Sequence, residues 1–137
     1  MISTKGRYAV RVLVDLVEQG DNGFVPLKEI AQRQGISEKY LQHVIKLLVQ
    51  AGMVTGSSGK GGGYQLSCKP EDLSVFEVLE AAEGTLAPVA CLAPNAAACD
   101  RAPQCKTLPM WQRYYETTRS FFEDISIADV ASGKAWK

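Results

Sequence analysis

Three of the four cysteines, Cys91, Cys99 and Cys105, fall within fifteen residues of the stretch "CLAPNAAACDRAPQCKTLPMW" that begins at position 91. Thiolates gathered in a segment without helical or strand period suit soft metal ions and iron–sulfur clusters. The same grouping serves a thiol redox switch equally well, or leaves the sulfurs as bystanders in a loop. Three sulfurs leave a four-ligand site one short; Asp100, a residue of a second protomer and a small molecule are the candidates to complete it. Cys68 stands apart at the end of a hairpin and reads as a small buried side chain. Elsewhere there is no Cys-x-x-Cys, no acid–base pair of carboxylates and no nucleophile arranged with the single histidine, His43. An enzyme is therefore not expected.

The elements that must position these thiols can be read from caps and periods. Ser3 or Thr4 caps a first helix running to about Gly20, with Ala9, Val12, Leu13, Leu16 and Val17 at helical spacing. Asp21-Asn22-Gly23 is turn chemistry. Pro26 opens a short helix, LKEIAQRQ, which Gly35 ends. Ser37 caps the next helix, whose Leu41, Val44, Ile45 and Leu48 form one stripe ending near Gly52. MVTGSS and GGYQLS are β-like runs around a glycine-rich tip, so a hairpin is predicted. Ser74 and Glu77 make a capping box for the helix SVFEVLEAAEG. Residues 84–106 contain Pro88, Pro94, Pro103 and the three cysteines without a sustained period, which means loop. A long helix from about Thr107 to Asp124 carries a bulky stripe of Trp111, Tyr114, Tyr115, Thr118, Phe121 and Phe122. That much bulk serves either an intramolecular core or a surface between two chains. Ser126 and Asp129 start a last short helical turn.

Residues 27–45 hold the most specific local pattern. Two helices meeting at a sharp turn need a small residue at their crossing, a turn glycine and apolar residues that lock the second helix. Ala31, Gly35, Leu41 and Val44 supply these in order, with Ile30 and Ile36 beside them, which is the spacing of a helix-turn-helix. A plain αα-hairpin is the bland alternative. The following GSSGKGGGY is too rich in glycine for a strand interior unless the backbone must approach something closely. It is no phosphate-binding P-loop, because Gly61 follows Lys60 where Ser or Thr is needed and a strand follows where a helix should start. It fits a wing, with Ser58, Gly61, Gly62 and Tyr64 around Lys60, whose side chain can enter a minor groove.

On the second helix Ser37, Glu38, Lys39, Tyr40, Gln42 and His43 point away from the apolar stripe. Gln42 offers a donor and an acceptor together, which suits an adenine edge. Lys39 and Lys46 suit phosphates, as do Lys5 and Arg7 at the start of the first helix and Lys28 on the short one. Each polar residue singly is more often only a solvated face; the reading rests on the ensemble.

Bulk properties agree. The 137 residues suit one domain, and 46% hydrophobic with 22% charged residues excludes global disorder. The N-terminus lacks a signal-peptide core and no apolar run is long enough to span a bilayer, so a cytoplasmic, membrane-free protein is expected. There, cysteines are free, metal-bound or redox-active rather than structurally bridged. The net charge of zero divides into +4 over residues 1–69, with nine Lys and Arg against five Asp and Glu, and −4 over 70–137, with six against ten. This suggests a polyanionic partner for the front half only, with a chance imbalance as the bland alternative.

In "STKGRYAV" at 3–10, "IAQRQGISEKYLQ" at 30–42, "GGGYQL" at 61–66 and the Cys91–Trp111 segment, the chain resembles a bacterial winged helix-turn-helix regulator family that includes IscR, NsrR and CymR. The likeness covers essentially the whole chain. It implies a mainly α fold with a small β-hairpin: a winged helix-turn-helix DNA-binding domain over 1–83, a cysteine-bearing loop over 84–106, and a dimerisation helix with C-terminal tail over 107–137. It further implies a homodimeric repressor or activator on double-stranded DNA with a pseudo-palindromic operator. The three cysteines match the family's cluster loop, which implies an iron–sulfur cluster, 2Fe–2S rather than 4Fe–4S. A cluster-free regulator controlled by a partner protein or by thiol oxidation is the alternative that CymR-like members imply. There are departures. Leu108 stands where IscR-like members have a histidine, and Arg7 where NsrR-like members take an aspartate ligand. Ser58 replaces a wing arginine, with Lys60 as the substitute, and Gln42 replaces a glutamate that affects operator choice. The spacing of Cys91 and Cys99 is also wider than in cluster-binding members.

Overall fold

A computed structural model describes residues 2–20 and 23–134; the expected turn at Asp21 and Asn22 lies outside the described residues. The chain forms α1 (Thr4–Gln19), α2 (Leu27–Gln34), α3 (Glu38–Gln50), β1 (Val54–Ser57), β2 (Gly63–Leu66), α4 (Val75–Glu83), α5 (Leu108–Glu123) and α6 (Ile127–Ala131). Single 3-10 turns occur at Pro70–Asp72, Ala90–Leu92 and Ala102–Gln104. No helix among the described residues is long and apolar enough to cross a membrane.

Local chemistry explains the boundaries. The Ser3 hydroxyl accepts from the Lys5 amide and the Ser37 hydroxyl from the Tyr40 amide. Ser74 with Glu77 and Ser126 with Asp129 close two reciprocal capping boxes. Gly35 ends α2 in the left-handed conformation at φ 66°, which turns the chain sharply into α3.

The core forms where the apolar stripes of α1 to α4 meet. Val12, Leu13, Ile30, Leu41, Val44, Leu48 and Val78 are all fully buried there. The strands pair antiparallel, Val54 opposite Leu66 and Ser57 opposite Gly63. A third strand-like piece was not legible beforehand: Val25 exchanges two 2.8 Å hydrogen bonds with Tyr64. The approach is so close that a Cβ at position 63 would sit 2.3 Å from the Val25 carbonyl oxygen, so only glycine fits.

After α5 the chain returns to this core. The Val75 amide donates to the Ile125 carbonyl and the Ile127 amide to the Leu73 carbonyl, each at 2.8 Å. Ile125 and Ile127 insert beside the residues of α1 and α4. Residues 125–131 are thus packed with residues 1–83, and α5 is the excursion between them. Ile127→Ala should cost about 2–5 kcal/mol, as for other truncations of a fully buried aliphatic side chain. Urea unfolding followed by circular dichroism measures this, and a loss under half a kcal/mol would detach the tail from the core.

Candidate nucleic-acid interface and cysteine site

Burial of Leu41, Val44, Ile45 and Leu48 fixes the rotation of α3 about its axis. The opposite face carries Ser37, Glu38, Lys39, Gln42, His43 and Lys46, all exposed, while Tyr40 is half-buried. The Tyr40 ring meets the Tyr8 ring edge-on, with centroids 5.6 Å apart, and lies 6.4 Å from the His43 ring. At the wing tip Ser58, Lys60 and Gly61 are exposed, and the Gly62 amide closes a turn onto the Gly59 carbonyl at 3.0 Å. Gly62 and Tyr64 are half-buried, and the Tyr64 ring lies over Gly56 of the opposite strand. Arg7 is exposed, with its guanidinium donating to the Thr4 hydroxyl at 3.3 Å; Lys28 is exposed on α2, and Lys5 is half-buried.

Behind the helix-turn-helix lies a polar centre that sequence reasoning missed. Asp15 of α1 is only 2% exposed. Its carboxylate accepts from Arg33 Nε at 3.0 Å, Arg33 Nη2 at 2.8 Å and Gln34 Nε2 at 2.9 Å. The hydrogen bond to Asp15 also holds the Arg33 guanidinium above its ordinary pKa, so it stays charged. One signal was available: an aspartate among Val12, Leu13 and Leu16 on the apolar side of a helix demands a partner.

Cys91, Cys99 and Cys105 line one hollow of about 240 Å³, with Leu108 and Gln112 from the first turns of α5 on its wall. Asp100 is exposed and is not part of that wall. Cys91 and Cys99 are exposed and Cys105 is half-buried. The Cys105 sulfur lies 3.3 Å from the Thr107 hydroxyl. That bond, then the Thr107 and Leu108 backbone, and more weakly the charge of Arg101, hold the Cys105 thiol below its ordinary pKa. The donors fit an iron–sulfur group in chemistry, being soft sulfurs around one hollow. Among the described residues, no three His, Cys, Asp or Glu side chains converge as metal ligands, and Leu108 offers no donor.

Cys68 is exposed, not buried as expected. The chain leaves β2 at Leu66 and runs over the surface to the Pro70 turn, which brings the thiol outward. Partial desolvation, with Glu77 and Asp72 nearby, raises its pKa.

The aromatic stripe of α5 separates into two sides. Trp111, Tyr115, Thr118 and Phe122 are half-buried, whereas Tyr114 and Phe121 are 57% and 54% exposed. No residue of α5 is buried. Trp111, Tyr114, Thr118, Phe121 and Phe122 line an apolar groove of about 630 Å³ beside residues 85–88; Tyr115 lies outside it.

Comparison with known proteins places this arrangement. The family model described as Rrf2, iron-dependent transcriptional regulator, matches residues 2–133. The chain is 39% identical to Protein rrf2 of Nitratidesulfovibrio vulgaris over 94% of its own length and 85% of that protein's. It is 33% identical to the HTH-type transcriptional regulator IscR of Aliivibrio salmonicida, over 94% and 76%. Among solved structures it is similar to CymR, the global cysteine regulator of B. subtilis, with a TM-score of 0.78 and 28% identity, covering 98% of each chain. It is also similar to T. potens IscR, with a TM-score of 0.73 and 28% identity, over 100% of this chain and 93% of that one. The chain belongs to the Rrf2 family; it is a winged-helix, DNA-binding transcriptional regulator and not an enzyme.

The two shifted thiols make an opposed pair. A lowered pKa gives Cys105 a larger thiolate fraction at any pH below its ordinary value, and a raised one gives Cys68 a smaller fraction. In iron-free, reduced protein at pH 7.5, iodoacetamide should therefore alkylate Cys105 faster than Cys68. Thr107→Val should slow Cys105 alone. Mass spectrometry of quenched digests reads both rates, and equal rates would contradict the assignment.

Proposed function

We propose that this Rrf2-family chain acts in the cytoplasm as a homodimer on a pseudo-palindromic double-stranded operator, with an iron–sulfur cluster on Cys91, Cys99 and Cys105 tuning its affinity. One observation carries the reading. The polar face of α3 and the wing tip are free of the core, while the three sulfurs share a hollow at the foot of a helix that leaves Tyr114 and Phe121 exposed.

In this reading each α3 enters a major groove, and half-sites lie about one helical turn apart or a multiple of it. Gln42 reads a base edge, with Ser37, Glu38, Tyr40 and His43 as its neighbours. Lys5, Arg7, Lys28, Lys39 and Lys46 neutralise phosphates. Ser58, Lys60, Gly61 and Gly62 form the minor-groove wing, and Tyr64 anchors its base. Trp111, Tyr114, Tyr115, Thr118, Phe121 and Phe122 face the second protomer, whose α5 would cover the 630 Å³ groove.

The cluster, 2Fe–2S by family likeness, would supply an iron centre that responds to oxygen, nitric oxide or cluster supply. The chain's own part is to present three thiols, one of them with its pKa lowered by the Thr107 hydrogen bond, and to couple their loop to the start of α5. A fourth ligand comes from outside these three cysteines. Iron-free protein would instead act as a regulator governed by thiol oxidation or by a docked protein.

Two measurements test this. On fluorescently labelled duplexes selected from a random library, Lys60→Ala should weaken binding to all sequences alike and flatten the salt dependence by about one unit. Gln42→Ala should relax preference at one base position, at a cost of about 1–3 kcal/mol for a bidentate contact. Equal losses on selected and random DNA for both variants would mean that α3 does not read the sequence. Separately, anaerobic reconstitution should load iron and sulfide with absorbance near about 400 nm, as for thiolate-bound clusters, and Cys99→Ala should lose most of it. Identical iron in the two proteins would leave the cysteines outside the cofactor site.

A further inference from the structure

The Asp15 centre continues outward to the DNA-reading face. The Gln34 side chain that donates to Asp15 accepts in turn from Arg11 Nε, at 3.1 Å. Arg11 Nη2 also donates to the Gln34 carbonyl, one of the orphan acceptors at the C-terminus of α2. The same guanidinium lies over the Tyr8 ring, 5.2 Å from its centroid, and Tyr8 is the ring that meets Tyr40 of α3. A continuous relay thus runs from a buried carboxylate in α1, through the last residue of α2, to the first turn of α3.

Gln34 immediately precedes Gly35, where the two helices of the helix-turn-helix meet. Both its side chain and its carbonyl are held, so the corner is tied to α1 at two points. Among the described residues no buried side-chain nitrogen or oxygen lacks a partner, so Asp15 is fully satisfied by this one arrangement. Any other pose of α2 would strand a buried charge.

We infer that Arg11 and Asp15 are positioning residues for sequence discrimination: they set the angle of α3 and touch no base. The inference rests on the reading of α3 as the recognition helix. Base readout requires donors and acceptors placed within tenths of an ångström, whereas phosphate contacts tolerate displacement. Loosening the clamp should therefore cost specific binding and spare non-specific binding. A merely structural pair would cost both or neither.

The test uses the full-length protein and the Arg11→Met, Arg11→Lys and Asp15→Asn variants. Each is titrated with the selected operator and with random duplex over a range of salt, with circular dichroism and mass in solution checked alongside. Arg11→Met should weaken operator binding by about tenfold or more, the value of one good base contact. Random-duplex affinity should stay within about twofold and the salt slope should not change. Arg11→Lys should recover part of the loss, because a lysine can still donate to the Gln34 carbonyl. Asp15→Asn should behave like Arg11→Met where it folds; where it does not, the two Arg11 variants decide. A parallel loss on both duplexes with the slope lowered by about one would make Arg11 a phosphate contact and overturn the inference. Unchanged operator binding in folded Arg11→Met would overturn it too. Wild-type protein that prefers no sequence would remove the DNA-reading assignment itself, and this inference with it.

Discussion

A carboxylate placed inside an apolar helix stripe constrains everything around it. Asp15 faces the interior of α1 beside Val12, Leu13 and Leu16, where an unpaired ion costs several kcal/mol. Among the described residues its donors come from α2, which therefore docks in the register that brings Arg33 and Gln34 to the carboxylate. Gly35 then redirects the chain, and burial of Ile36, Leu41 and Val44 decides which side of α3 turns inward. The polar side of α3 faces solvent as a consequence. Hydrophobic burial supplies most of the driving force for this core, but it is non-directional; the ion pair and its amide neighbour supply the angle.

The wing obeys a second geometric constraint that shares its origin with the first. Val25 pairs with Tyr64, while the very next residue, Pro26, stands at the N-terminus of α2. One step of backbone therefore ties the hairpin to the helix-turn-helix. The absence of a side chain at Gly63 is what allows that step, since any Cβ would collide with the Val25 carbonyl. The glycines that follow Lys60 are thus not equivalent: Gly61 is exposed at the tip, while Gly63 is a packing requirement.

What was legible in the sequence was local. Ser37, Ser74 with Glu77, Ser126 with Asp129, and Gly35 act within a few residues of their own position, and each sits where its chemistry placed it. The helix-turn-helix spacing was legible for the same reason, and so was the hairpin. The contacts that escaped all join distant parts of the chain. A short window around Asp15 shows that it needs a partner but not that the partner is Arg33, while Val25 with Tyr64 and Ile127 beside α1 and α4 have no signature in any short window. Cys68 shows the opposite error: residue type alone suggested burial, but exposure is set by the path of the chain into the Pro70 turn. The gathering of three cysteines around one hollow, with Leu108 and Gln112, follows from two 3-10 turns in a segment that has no period to read.

The placement of α5 connects these two halves of the molecule. At its C-terminal end the helix is held firmly: Phe122 packs against the core, Arg119 lies over the Phe76 ring at 5.1 Å, and Ile125 and Ile127 are buried just beyond. At its N-terminal end Leu108 and Gln112 line the cysteine hollow. A sixteen-residue helix is about 24 Å long. Under the proposed function, a small shift at the N-terminal end would be transmitted along this helix as a change of tilt. On the proposed reading, whatever occupies the hollow therefore acts on the tilt of α5, and α5 is the surface across which a second protomer would be joined. Two copies tilted differently would carry their α3 helices at a different separation, although nothing inside either DNA-binding unit had changed. The Asp15 clamp would make that possible: by holding the helix-turn-helix on α1, it would let a change in α5 alter the spacing of two readers instead of being absorbed within one of them.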